Sequence, residues 1–231
     1  IYPLRENWKA KGMTMCEIPP IRMLVLTLTG RCNFKCLYCY ASEQDPVDMT
    51  EETGIAAVAL AHVSKNQFLL QFSGGEPLLQ FPLIRKVVDF VEKNHVNAQM
   101  QIQTNGALLT KDIGKWLFDH NVGIGISCDG RPELMNRLCV SKDGDRSSQK
   151  VIQAFQNLGE VNIEAGITCV VTDDTVEQLD GIVDMAYFYG NVHQIGFDIL
   201  REQGRGKRLH APTAEQMEKA LERTAKKMDM L

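Results

Sequence analysis

No apolar run in this chain approaches the roughly 20 residues a membrane-spanning helix requires, so no such helix is expected. Excess basic charge is missing too: Lys and Arg number 25 against 29 Asp and Glu, a net charge of -4 with no long basic block. That balance lacks the electrostatic footprint of a nucleic-acid-binding surface, and neither nucleic acid nor membrane is expected as a partner. Cysteines number seven, too few for a disulfide scaffold in 231 residues. The five histidines are scattered without ligand spacing, and no internal repeat, low-complexity tract or Pro/Gly-rich linker divides the chain. The start Ile1-Tyr2-Pro3-Leu4 carries neither a signal-peptide apolar core nor an initiator Met. A longer natural protein, cytoplasmic in location, is the expectation from that start.

Apolar residues make up 44% and charged residues 23%, the balance of a globular domain with a sizeable core. Short β-like runs alternate with amphipathic stretches. Strands are expected at 21–28, 68–72, 100–103, 122–127, 161–171 and 192–200. Helices are expected over 50–64, 82–94, 111–120, 149–158, 176–189 and 213–230, with Ile84, Val87, Val88 and Val91 on one buried face. Residues 131–148 read as a long polar loop. Six β-then-α units imply a parallel sheet with right-handed crossovers, either an open doubly wound sheet or part of a barrel. Both bind ligands at the carboxyl ends of the strands. Residues 1–20 form a lead-in and 21–231 the core domain.

Three of the seven cysteines fall within eight residues, directly after the first strand: Cys32-Asn33-Phe34-Lys35-Cys36-Leu37-Tyr38-Cys39. Thiolates suit iron-sulfur clusters, and a tight loop with spacings of four and three can wrap one small cluster. Only three ligands are offered, so a cubane held here would keep one iron open. A structural zinc is the alternative and would need a fourth ligand, such as Cys128 or a His. Strand two ends in Ser73-Gly74-Gly75-Glu76-Pro77, where bare backbone and one carboxylate suit an ammonium-bearing group, although Gly-Gly is also common in plain turns. Strand three ends in Gln103-Thr104-Asn105-Gly106 and strand four in Gly125-Ile126-Ser127-Cys128-Asp129-Gly130.

The Cys-x3-Cys-x2-Cys loop, with an aromatic before its last Cys, resembles the radical S-adenosylmethionine (SAM) superfamily. The resemblance implies a partial (β/α)6 TIM-like barrel, with a [4Fe-4S] cluster ligated by Cys32, Cys36 and Cys39. It further implies SAM chelated at the open iron, cleaved reductively to a 5′-deoxyadenosyl radical that abstracts hydrogen from a substrate. Gly74, Gly75 and Glu76 match the family's Gly-Gly-Glu motif, which holds the SAM amino group. Asn105 and Ser127 are implied to position the rest of SAM, with Tyr38 packing near adenine and Leu200 forming part of its apolar wall. The Ser-x-Asp-Gly stretch at Ser127 is similar to that of the peptide- and protein-modifying branch, which includes the anaerobic sulfatase-maturating enzymes. A peptide or protein substrate and a reductant such as flavodoxin or ferredoxin are therefore the implied partners. No catalytic side chain is assigned beyond the cluster ligands.

The similarity runs from about Ile21 to Leu200. Relatives of that branch continue into a cysteine-rich extension, called SPASM or twitch, whereas nothing after Cys169 here is a cysteine. The expectation is a core without that domain. A glycyl-radical-enzyme activase is the competing enzymatic reading, and a zinc-stabilised binding module the non-enzymatic one. Cys128 and Cys169 read as small core residues, Cys16 and Cys139 as inert or substrate-facing. Arg201, Arg205 and Arg208, past the last strand, read as a solvated basic loop or a dock for an acidic group.

Overall fold

The structure, a computed structural model, describes residues 20–230. The expectation for Cys16 and for the lead-in up to residue 19 lies outside the described residues. Strands β1 (Met23–Thr27), β3 (Phe68–Ser73), β4 (Ala98–Thr104), β5 (Val122–Ser127), β7 (Ala165–Val171) and β8 (Val192–Ile199) form one six-stranded parallel sheet. A separate antiparallel pair joins β2 (Phe34–Cys36) to β6 (Cys139–Ser141). The helices are α1 (Glu51–Ala61), α2 (Phe81–Lys93), α3 (Lys111–Asp119), α4 (Pro132–Leu138), α5 (Ser147–Gly159), α6 (Gly181–Tyr189) and α7 (Ala214–Met228).

Strand order settles the choice that periodicity leaves open. Each strand of the large sheet pairs with the next in the series β1-β3-β4-β5-β7-β8, and the order never reverses. Without a reversal there is no topological switch point, and right-handed crossovers put the helices that link successive strands on the same face. A right-twisted sheet covered on one face only curls around the other, giving a partial barrel. Alternate residues make the two faces: Phe68, Leu70 and Phe72 are buried under the helices, whereas Leu69, Gln71 and Ser73 are half-buried toward the lumen.

Local signals explain the helices. Thr50 caps α1 by accepting from Thr53 N at 3.2 Å, and Thr213 with Gln216 forms a capping box on α7. Pro82 sits in the first turn of α2, whose Ile84, Val87, Val88 and Val91 are all buried, as their spacing predicts. Each of these side chains contributes about 1.5–3 kcal/mol by burial, so Val87→Asp would break the helix-sheet contact.

The 131–148 segment differs from expectation. It is not a loop but carries α4, the short β6 and the start of α5. Pro132 opens α4, and Leu134 and Leu138 pack with Phe34 and Cys139 into a small second core beneath the cysteine loop. Too few residues separate the charges of this stretch for a periodic signal, which is why it reads as polar loop. The fifth strand also starts at Ala165 rather than 161, and the predicted 176–189 helix is a 3-10 turn followed by α6.

Candidate active site

The cysteine loop leaves β1 at the carboxyl edge of the sheet and is tied down at its entry. Asp48 accepts from Thr29 Oγ1 at 2.7 Å and forms an exposed ion pair with Arg31. At its far side the loop runs as β2 against β6, with Lys35 paired to Val140 and Cys36 to Cys139. Cys32, Cys36 and Cys39 are half-buried and open onto one cavity of about 500 Å³. Burial pushes the Cys32 thiol up to about 11 and raises Cys39 as well. Among the described residues, no three Cys, His, Asp or Glu side chains stand at the spacing of a single metal ion. The tetrahedral shell of a structural zinc is therefore not preformed, whereas a multinuclear cluster takes its thiolates further apart. Cys128 is buried away from the cavity wall, its thiol pushed up to about 12 by burial, and supplies no fourth ligand.

The Gly-Gly-Glu segment works first as a joint within the chain. Gly75 N donates to Thr29 O at 2.7 Å and Glu76 N to Arg31 O at 2.9 Å, zipping the end of β3 onto the entry of the cysteine loop. A Cβ on Gly75 would stand 2.2 Å from Arg31 O, so this approach requires glycine. Gly74 and Gly75 line the cavity with bare backbone. Glu76 does not. It is fully buried, with Oε1 accepting from Leu78 N (2.9 Å) and Thr104 Oγ1 (2.7 Å) and Oε2 from Asn105 N (2.8 Å). Burial raises its carboxyl pKa against the pull of those three donors. The Glu76 carboxylate thus holds the end of β4 from behind the cavity wall.

What β4 gains is a placed Asn105. Its Nδ2 donates to Asn33 Oδ1 at 2.8 Å and lies 3.7 Å from Cys32 Sγ, while its Oδ1 accepts from Ala107 N. Asn105 thus bridges the third strand end to the first cysteine. Ser127, at the end of β5, accepts from Gln103 Nε2, and Gln103 Oε1 accepts from Thr168 Oγ1, each at 3.1 Å. Gln103 is a support that sequence reasoning missed, since an isolated Gln in a strand carries no signal. Asn105, Ser127 and Tyr38 all line the cavity; Leu200 is buried just off its wall, where Ile199 and Arg201 stand instead.

Tyr38 and Asp129 are joined across 91 residues. Tyr38 Oη donates to Asp129 Oδ2 at 2.7 Å, and Asp129 Oδ1 accepts from Val170 N at 3.1 Å. The Cys139 thiol lies 3.1 Å from Tyr38 Oη. Burial pushes the Asp129 carboxyl up to about 6, opposed by its bonds from Tyr38 and Val170. Asp129 thus ties the cysteine loop to β7. Cys139, expected to be inert or substrate-facing, is buried against the cysteine loop and borders the cavity. Cys169 is buried, as expected of a core residue. Arg137 is exposed on α4 and stands outside the cavity wall.

A family model described as the radical SAM superfamily matches residues 26–186. The chain is 35% identical over 203 residues to an uncharacterised protein of Methanocaldococcus jannaschii, covering 87% of this chain and 70% of that one. It is 29% identical over 216 residues to the radical SAM cyclopropyl synthase TigE of Paramaledivibacter caminithermalis, covering 85% and 45%. Among solved structures, native anSMEcpe with bound AdoMet and the Kp18Cys peptide superposes with a TM-score of 0.68 at 26% identity, covering 77% and 51%. The chain thus spans about half the length of the last two. With the family match covering both the cysteine loop and the strand ends that face it, the chain belongs to the radical SAM superfamily, enzymes that use a [4Fe-4S] cluster and S-adenosylmethionine.

Proposed function

We propose that Cys32, Cys36 and Cys39 hold the [4Fe-4S] cluster and that the chain abstracts hydrogen from a peptide or protein side chain. The observation that carries this reading is the convergence of three thiols with Gly74, Gly75, Asn105 and Ser127 on one cavity wall. Three soft ligands leave one iron for a small chelating molecule. Held there, the cluster would supply the electron for reductive cleavage of SAM. The protein's part is placement and exclusion of water. The backbone of Gly74 and Gly75 receives the SAM amino end, with Glu76 as the strut behind them. Asn105 and Ser127 position the remainder, and Tyr38, fixed by Asp129, limits the adenine side.

A peptide substrate is supported by the lumen below the cavity. Gln71, Gln103 and Thr168 line it together with the Asp198 carboxylate, the Arg201 and Arg205 guanidiniums and the half-exposed Met23 and Val25. Among the described residues, strands β1 and β8 are not paired to each other. Amide groups, apolar side chains and charges of both signs on one lining match the mixed chemistry of a peptide. A flavodoxin or ferredoxin serves as the partner reductant.

Anaerobic reconstitution with iron and sulfide, followed by dithionite and SAM, tests the proposal. The wild-type chain should release 5′-deoxyadenosine and Cys36→Ala should release none. Equal release from both, or tight zinc with no cluster, would reject it.

A further inference from the structure

The nine residues after β8 read in sequence as a solvated basic loop, yet three of their cations turn back onto the cysteine loop. Arg201 places its guanidinium carbon 5.1 Å from the centre of the Tyr40 ring, and Lys207 pairs with Glu43. Arg205 goes furthest. Its backbone N donates to Cys39 O at 3.1 Å and to Ser42 Oγ at 2.9 Å, and its Nε donates to Cys36 O at 2.7 Å. One residue therefore holds the carbonyls of two of the three cysteines. The approach depends on Gly204, which has φ +56° and whose Cβ would stand 2.6 Å from Cys39 O and 2.7 Å from Tyr40 O. Among the described residues β1 and β8 are the two edges of the sheet, and this strap joins the exits of the first and last strands where no ladder bonds do.

We propose that Arg205 is a positioning residue for the cluster: its Nε fixes the Cys36 end of the loop, and its guanidinium holds positive charge beside the thiolates. The assignment rests on the cysteines being the cluster ligands. Hydrogen bonding and charge around cluster sulfurs set how readily the cluster is reduced. A guanidinium at this edge favours the more negative, reduced state, the one that delivers an electron to SAM. Replacing it with a neutral side chain moves the midpoint to more negative potential. Replacing it with lysine keeps the charge but loses the bond from Nε to Cys36 O, since lysine has a single, differently placed donor group.

The experiment compares wild type, Arg205→Gln and Arg205→Lys. Amide hydrogen exchange of the cluster-free chain is read over residues 32–42, then iron loss to a chelator and the midpoint potential by EPR-monitored titration after reconstitution. Both variants should exchange about tenfold faster in the loop, the scale of one lost charge-assisted hydrogen bond, with α2 and β3 unchanged. Both should lose iron faster, and only Arg205→Gln should show the more negative midpoint. Loop exchange at the wild-type rate, or acceleration spread evenly over the whole sheet, overturns the assignment, as does an equal midpoint in all three chains. Exchange is read without a cluster, so if the wild type forms none, the proposed function fails while the clamp is still decided.

Discussion

Replacing Asp129 by asparagine gives a sharp test of how the site is held. The carboxylate is buried at 5% exposure and accepts from Tyr38 Oη and Val170 N. Asparagine fills the same space: its oxygen can accept from Val170 N and its amide can donate to Tyr38 Oη. The change therefore isolates charge. Burial raises the Asp129 pKa from 3.8 to about 6, so the folded state keeps a proton that the unfolded chain releases earlier. The carboxyl's contribution to stability is fully present below pH 3.8 and is lost as pH rises through 6. A gap of about 2 pH units at about 1.4 kcal/mol each gives about 3 kcal/mol as the upper scale of that loss. Urea unfolding of the cluster-free chains at pH 4 and pH 7 measures it, and other titrating groups cancel in the difference between the two proteins. Asp129→Asn should gain on the wild type by about 2–3 kcal/mol between pH 4 and pH 7. A difference that stays constant with pH would refute the reasoning.

Two further outcomes follow from contacts at the cysteine loop. Gly75→Ala puts a methyl 2.2 Å from a backbone oxygen that cannot rotate away; overpacking of this kind costs about 1–3 kcal/mol, and thermal unfolding should show the loss together with reduced iron uptake. Cys36 and Cys139 form a non-hydrogen-bonded cross-strand pair, since the flanking ladder bonds run from Leu37 N to Leu138 O and from Lys142 N to Asn33 O. Such pairs bring Cα atoms to about 4.5 Å, within disulfide range. Treating the cluster-free chain with oxidised glutathione should join these two thiols while reducing the reagent to two thiols. Non-reducing peptide mapping should find that link, and links confined to Cys32 and Cys39 would contradict the pairing.

The fold was legible where periodicity had length to act. The run of Ile84, Val87, Val88 and Val91 specifies a helix face, and Phe68-Leu69-Leu70-Gln71-Phe72 a strand, because burial repeats there over two turns or two pleats. The α4–β6 insert was not legible, because seven and three residues are too short for either period to stand out. The cysteines and glycines of the site could be read from spacing, since their chemistry is local. Its supports could not. Glu76 to Thr104, Tyr38 to Asp129 and Arg205 to Cys36 join residues 28, 91 and 169 positions apart, pairings fixed only by the curl of the sheet. For the same reason Glu76 looks like a ligand-facing carboxylate in sequence and is a buried strut in space.

With three cysteine ligands, one iron of the cluster is open to SAM. Pulsed EPR of the reconstituted, reduced chain with SAM labelled by ¹⁵N at its amino group measures this directly. A nitrogen hyperfine coupling to the cluster should appear with labelled SAM and disappear when Cys39 is replaced by Ala. A reduced cluster that shows no coupling to the labelled nitrogen would contradict it.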